Sequence, residues 1–371
     1  MINIKEKFLQ LTKSRTPKGT EENVIKLIPE FKFEKDEFGN FFYIIKKEDG
    51  TFSNTMFTSH LDTIDRGPYS YRSGRWDPIK RIWVDKDENK DDDKSIKHVI
   101  DGDFIKTDGE TNLGADDKAG VVLMLNMMSE GVPGLYYFFM GEESGCIGSS
   151  NMSRTYEDKV KEGKLPKVNK CVSFDRRGYD SIITNQNGKI SCSDEFAKDL
   201  ADRLNEYGFW FAPDNSGIYT DSAEFVDIIE ECTNISVGYF NEHTTSEKQD
   251  IEFLEILGIV LTKIDWENLI IKRDPTNVSY TGKKSKSYYS RGDMDWEEYY
   301  GFGNAYDYGY GCGHSSSTKS TSNTLPESKP NKYFDNGNGE LTEIDDTEFD
   351  KWYMEQKDKG WTMKDVNENI V

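Results

Sequence analysis

Two histidines, two aspartates and a glutamate occur along this chain in the order His60, Asp116, Glu143, Asp175 and His243, each in a setting that suits a two-zinc hydrolase. Imidazole and carboxylate donors suit Zn²⁺, and a spare carboxylate beside a ligand is the base that a metal-acidified water needs. His60 stands in Ser59-His60-Leu61-Asp62, where Asp62 can fix its tautomer; the plainer alternative is a buried histidine beside a carboxylate. Asp116 stands in Gly114-Ala115-Asp116-Asp117-Lys118. That run is either an acidic helix start favoured by the helix dipole or a junction where one carboxylate bridges two cations, with Gly114 and Ala115 leaving room. Glu142-Glu143 follows an apolar aromatic run. Two carboxylates there are costly unless one binds metal and the other accepts a proton from water; otherwise they mark an exposed turn. Asp175 is followed by Arg176 and Arg177, so an ordinary ion pair competes with a metal role. His243 is one of four histidines; His98 in a polar insertion and His314 in a Tyr/Gly-rich tail are read as non-ligands.

The elements that must position these groups alternate. Helices are predicted over 3–13 and 19–29, the second with Thr20 as N-cap. Strands are predicted at Phe41–Ile45 after a Gly39-Asn40 bend, and at Thr55–Thr58 leading to His60. A solvated insertion over about 64–100 includes Asp91-Asp92-Asp93. A buried helix is expected over Asp116–Met128, then strands at Leu135–Met140 and Cys171–Phe174, a helix over 194–207, a strand at Asn234–Tyr239 and a long helix over 249–270. This alternation implies an α/β sheet covered on both faces, and strands that end just before the candidate ligands fit a site at their carboxyl ends.

The chain has 371 residues and a formal net charge of −21, which argues against nucleic acid as a partner. Five scattered cysteines with no C-x-x-C pair read as reduced thiols. The start, Met1-Ile2-Asn3-Ile4-Lys5-Glu6-Lys7, lacks an apolar signal stretch, and no apolar run has the length of a membrane span. The expectation is a cytoplasmic protein with no membrane partner.

On these motifs the sequence resembles the catalytic domain of the co-catalytic zinc exopeptidases: peptidase T, glutamate carboxypeptidases, acetylornithine deacetylase and related zinc aminopeptidases. The resemblance covers about residues 3 to 270. Its wording is nearest to peptidase T in Thr58-Ser59-His60-Leu61-Asp62-Thr63 and Leu113-Gly114-Ala115-Asp116-Asp117-Lys118-Ala119-Gly120, with Arg15-Thr16-Pro17-Lys18-Gly19-Thr20-Glu21 resembling the amino-terminal loop. It implies a three-layer α/β/α sandwich with a mixed, mostly parallel sheet. It also implies two zinc ions, for which cobalt or manganese could substitute. Asp116, rather than Asp117, would bridge the metals, one also held by His60 and Asp175 and the other by Glu143 and His243. Glu142 would be the general base for a water between the metals, and Asp62 the partner of His60.

Asp175 and His243 enclose too few residues for the second domain that peptidase T inserts there. Without that domain an aminopeptidase or tripeptidase is expected ahead of a carboxypeptidase or dipeptidase, cleaving a small peptide substrate at a chain end. Asp221 or Glu242 could hold a free amine, and Arg176 or Arg177 a carboxylate. An N-acyl amino acid deacylase and a catalytically silent binding scaffold are the alternatives. The expected divisions are a catalytic domain over 1–272, a Tyr/Gly/Ser-rich disordered linker over 273–344, and a short acidic, helical segment over 345–371. The tail is a candidate surface for an unknown protein partner.

Overall fold

A computed structural model of the chain describes residues 1–64 and 95–277, together with the backbone of four short strands. Two of these, Arg75–Asp77 and Ile82–Val84, pair antiparallel within the polar insertion; the other two, Lys332–Asp335 and Leu341–Ile344, pair antiparallel within the expected linker. The acidic run 91–93, most of the Tyr/Gly-rich stretch and the helix expected near 345–369 lie outside the described residues.

Apolar and aromatic runs build an eight-stranded sheet. Its order is Glu34–Lys35, Phe41–Ile45, Gly134–Phe139, Thr55–His60, Lys170–Arg176, Glu231–Ser236, Ser181–Ile183 and Ala212–Asp214. The four strands from Gly134–Phe139 to Glu231–Ser236 are parallel neighbours, and antiparallel pairings join the flanks. Successive side chains on a strand point to opposite faces. Phe57, Tyr136, Phe138, Val172 and Phe174 therefore enter one core with helices α1 (Ile4–Leu11), α3 (Ala115–Ser129), α5 (Asp194–Asn205) and α6 (Ile251–Leu261). Met56, Leu135, Tyr137, Phe139 and Cys171 enter the other, against α4 (Ile147–Lys161) and the 3-10 turn Asp221–Phe225. The result is the expected three-layer α/β/α sandwich with a mixed, mostly parallel sheet. The segment between Asp175 and His243 supplies strands and a helix of this same sandwich.

Several elements differ from their predicted bounds. α1 is shorter than 3–13, and α2 is only Glu22–Lys26. Thr20 does not cap it; its hydroxyl donates to the Pro17 carbonyl at 2.7 Å. The helix predicted over 194–207 stops at Asn205. The strand predicted at 234–239 is Glu231–Ser236; Gly238, at φ +84°, then turns the chain so that Tyr239–Phe240 joins another sheet. The apolar stripe over 249–270 likewise divides. Lys248–Asp250 is a strand, the Asp250 carboxylate accepts the Phe253 N–H at 3.0 Å to start α6, and beyond Leu261 the chain turns to bury Trp266 and Leu269. Periodicity alone could not separate these pieces, because all of them face the same core.

A second, four-stranded antiparallel sheet orders Tyr239–Phe240, Lys248–Asp250, Phe104–Thr107 and His98–Asp101. The loop leaving Phe104–Thr107 leads to Asp116, and the loop entering Lys248–Asp250 carries His243. These adjacent antiparallel strands place both loops at one end of the small sheet. His98 is occupied elsewhere, with its ring Nε2 2.9 Å from the Thr12 hydroxyl. Cys146, Cys171, Cys192 and Cys232 are free and buried. Among the described residues, no helix is long and apolar enough to cross a membrane.

Candidate metal centre

Parallel strands bring their carboxyl ends to one edge of the sheet, and there the predicted ligands gather. His60 is the last residue of Thr55–His60, Asp175 lies at the end of Lys170–Arg176, and Glu142–Ser144 forms a 3-10 turn just beyond Gly134–Phe139. Asp116 enters from the start of α3, where it and Asp117 keep non-helical backbone angles and share a cis peptide. His243 arrives on its loop with φ +62°.

The Asp116 carboxylate stands between the two imidazoles. Its Oδ1 is 2.9 Å from His60 Nε2 and its Oδ2 is 3.1 Å from His243 Nε2. His60 Nε2 is 3.7 Å from Asp175 Oδ1, and His243 Nε2 is 3.1 Å from Glu143 Oε1. The donors fall into two groups, His60–Asp116–Asp175 and Asp116–Glu143–His243, each with its donor atoms within 4.8 Å of one another. All five predicted ligands are thus brought together, with Asp116 common to both groups.

The electrostatics suit cations. Burial and neighbouring carboxylates push Glu142, Glu143 and Asp175 above the ordinary carboxylate range, despite the opposing pull of the imidazoles. Burial would depress His60, but hydrogen bonds with Asp116, Asp175 and Asp62 outweigh it and hold the ring well above its usual value. His243 is treated likewise, burial being outweighed by Asp116 and Glu143, and reaches about 11. Asp116 falls, since its imidazole partners overcome the opposing effect of burial. So many buried carboxylates beside two imidazoles are costly unless positive charge joins them. Two divalent cations would supply that charge, and this oxygen and nitrogen donor set fits zinc.

Glu142 and Asp62, expected as base and orienting group, lie beside the predicted ligands. Glu142 Oε2 is 4.0 Å from His60 Nε2, and the Cys146 thiol donates to Glu142 Oε1 at 3.5 Å. Asp62 accepts the backbone N–H groups of Glu142 (3.0 Å) and Glu143 (3.2 Å). His60 Nδ1 is 2.9 Å from the Asp62 carbonyl and 3.5 Å from its carboxylate Oδ1, so the ring can be oriented through its second nitrogen.

Sequence reasoning missed most of the surrounding support. Asp117 is fully buried and accepts the Ser59 hydroxyl (2.5 Å) and the N–H groups of His60 (3.2 Å) and Gly120 (3.1 Å). Gly120 is required here, because an added Cβ would lie 2.3 Å from the Phe174 carbonyl. Lys118 is buried, and its ammonium donates to the Leu61 carbonyl. Asp175 is held by the hydroxyls of Thr220 (2.5 Å) and Tyr239 (3.1 Å), and Asn234 pairs with its backbone on both sides. Glu247 accepts the N–H groups of Leu113, Gly114 and Asp116. The only sequence signal for the last was its place four residues beyond His243, which carries no chemistry by itself.

The expected substrate contacts fare differently. Arg176 is engaged by Ser216 at 3.1 Å and lies 3.6 Å from Asp214. Arg177 is largely exposed and pairs with Glu242 at 3.3 Å. Asp221 does not open onto the cleft. Its turn packs under α4, it is buried, and it accepts the Ser149 hydroxyl at 2.5 Å. Burial raises its carboxyl to about 7.

Comparison with known proteins agrees with this architecture. No family model matches the chain. A curated relative, the uncharacterized protein YqjE of Bacillus subtilis, is 32% identical over 106 residues, which are 27% of this chain and 22% of that protein's length. Among solved structures, aminopeptidase PepT from Bacillus cereus aligns with a TM-score of 0.53 at 15% identity, covering 71% of this chain and 97% of that one. The TET1 peptidase of Pyrococcus horikoshii aligns at 0.51 with 16% identity, covering 70% and 98%. A tripeptidase from Staphylococcus aureus aligns at 0.51 with 15% identity, covering 70% and 96%. The chain shares their fold, the three-layer α/β/α sandwich expected from its sequence.

Proposed function

We propose that this chain is a di-zinc exopeptidase that releases residues from the amino terminus of small peptides, as an aminopeptidase or tripeptidase. The observation that carries the reading is the single carboxylate of Asp116, shared between two donor groups and flanked by an imidazole on each side. Bound zinc would supply Lewis acidity, polarising the peptide carbonyl and lowering the pKa of water. Asp116, His60 and Asp175 would hold one ion, and Asp116, Glu143 and His243 the other. Glu142, unassigned to either ion, takes the proton from water and returns it to the leaving amine. Burial and neighbouring carboxylates raise its pKa, which favours taking up a proton, and bound positive charge would oppose that rise.

The fold shared with aminopeptidases and a tripeptidase supports an amino-terminal preference. Glu242 is the nearest candidate for the free amine, since it precedes His243 and Asp221 is buried. Arg177 pairs with Glu242 at 3.3 Å; released from that pair to grip a substrate carboxylate, it would favour the carboxypeptidase or dipeptidase alternative instead. We place the catalytic unit in residues 1–272. The folded unit reaches slightly further, since the Arg273 guanidinium donates to the Val226, Ile229 and Glu230 carbonyls. The decisive test is metal analysis with a panel of free-amine, blocked and N-acetyl substrates. Two zinc ions per chain and turnover of free-amine peptides support the reading; turnover of N-acetyl compounds alone makes it a deacylase, and no metal with no turnover makes it a scaffold.

A further inference from the structure

Glu247 is buried to 1% exposure, yet among the described residues its carboxylate bonds to no lysine or arginine. It is instead saturated by main-chain donors. Oε2 accepts the N–H groups of Leu113 and Gly114, both at 2.8 Å, and Oε1 accepts that of Asp116 at 3.0 Å. The donors lie on the loop that delivers Asp116, while Glu247 lies on the loop that delivers His243. These loops leave neighbouring strands, with Lys248 paired to Lys106 and Gln249 to Ile105. A second link is weaker, from the Thr107 hydroxyl to the Thr245 carbonyl at 3.4 Å.

We infer that Glu247 is a positioning residue that clamps the Asp116 loop to the His243 loop, setting the spacing of the shared carboxylate and the exposed imidazole. The inference rests on the di-zinc reading for its consequence, but its geometry does not depend on it. Metal ligands are commonly oriented by carboxylates that do not touch the metal, and losing such a group costs about 10- to 100-fold in metal affinity. Here the carboxylate acts on the ligand's backbone. No other residue type offers two oxygens to three converging N–H groups on a side chain of this length. Glutamine keeps the shape but replaces one accepting oxygen with a donor that faces N–H groups.

The test uses the full chain and compares wild type, Glu247→Gln and Glu247→Asp. Glu267→Gln serves as the structural control: Glu267 also joins distant segments, accepting Ser53 and the Asn54 N–H, but at the opposite end of Thr55–His60. Calorimetric titration of metal-free protein with zinc, amide exchange of residues 112–118 in metal-free protein, and thermal melting are measured on each. The expected result is faster exchange over 112–118 and at least one zinc equivalent weakened about tenfold or more in both Glu247 variants. Glu267→Gln lowers the melting temperature alone. Wild-type exchange and wild-type affinity for two zinc ions in Glu247→Gln overturn the inference; if that variant does not fold, the same results in Glu247→Asp do so. Absence of zinc binding by the wild type would instead sink the di-zinc reading and leave the exchange measurement to judge the clamp.

Discussion

The two halves of the metal centre are built differently. His60 and Asp175 come from the ends of parallel strands, and the His60 side chain is only 1% exposed. Glu143 and His243 come from a 3-10 turn and a loop, and the His243 side chain is 39% exposed. In the strand-borne half the sheet holds the backbone, Asn234 adds two bonds to the Asp175 main chain, and Thr220, Tyr239 and Asp62 orient the side chains of Asp175 and His60. In the loop-borne half the backbone itself must be held, by Thr244 and Asn241 within the loop and by Glu247 across to its neighbour. The difference teaches that equivalent ligands need not be equally rigid. If both halves hold cations as proposed, the more exposed His243 side is the one expected to exchange its ion more readily.

Changes to the residue shared by both halves should have the largest effect. Asp116→Ala is expected to abolish activity and to strip both zinc equivalents, measured by elemental analysis of the purified protein. Glu142→Gln should lower kcat by about 10² to 10⁴-fold while both ions stay bound, because it removes a proton acceptor and no ligand. Loss of metal from that variant would move Glu142 into the ligand set. Stepwise chelation should then separate the halves, the His243 ion leaving first; His243→Ala should keep one equivalent and His60→Ala should lose more. Simultaneous release in every titration would erase the distinction. Tyr239→Phe should weaken the strand-borne site by about tenfold through loss of its bond to Asp175, read as a zinc dissociation constant.

The smallest effect is expected at the opposite end of the Asp175 strand. Burial lowers the Lys170 amine to about 8, against the pull of Glu267 and Asp265. The unfolded chain therefore binds more protons between pH 8 and about 10.4, and stability rises with pH across that window. Lys170→Met should flatten this rise and add on the order of 1 to 3 kcal/mol at pH 7, measured by denaturant unfolding across the pH series. An unchanged slope would show that the ammonium is well solvated in the folded state.

The strands that carry His60, Glu142 and Asp175 were legible because short, intensely apolar runs ended abruptly at charged residues. Buried strands followed by polar groups leave few arrangements that keep the charges near one edge. The helix over 249–270 and the strand over 234–239 were misjudged for the complementary reason. Continuous burial removes the alternation that distinguishes a turn from an element, and only Gly238 marked where the chain leaves the main sheet. Asp221 was expected to meet a substrate amine, whereas Phe225 draws its turn beneath α4 and buries it.

By itself the sequence determined the donor types, their order and the alternation of elements that sends them to one side of a sheet, since these follow from chemistry local to each motif. Tertiary structure alone decided that Asp116 faces two imidazoles, that Asp117 turns instead to Ser59, His60 and Gly120, and that Glu247 reaches another loop's backbone. Those facts depend on distances between segments more than a hundred residues apart in some cases, and such distances are set by how strands pair and faces pack rather than by any run of neighbouring residues.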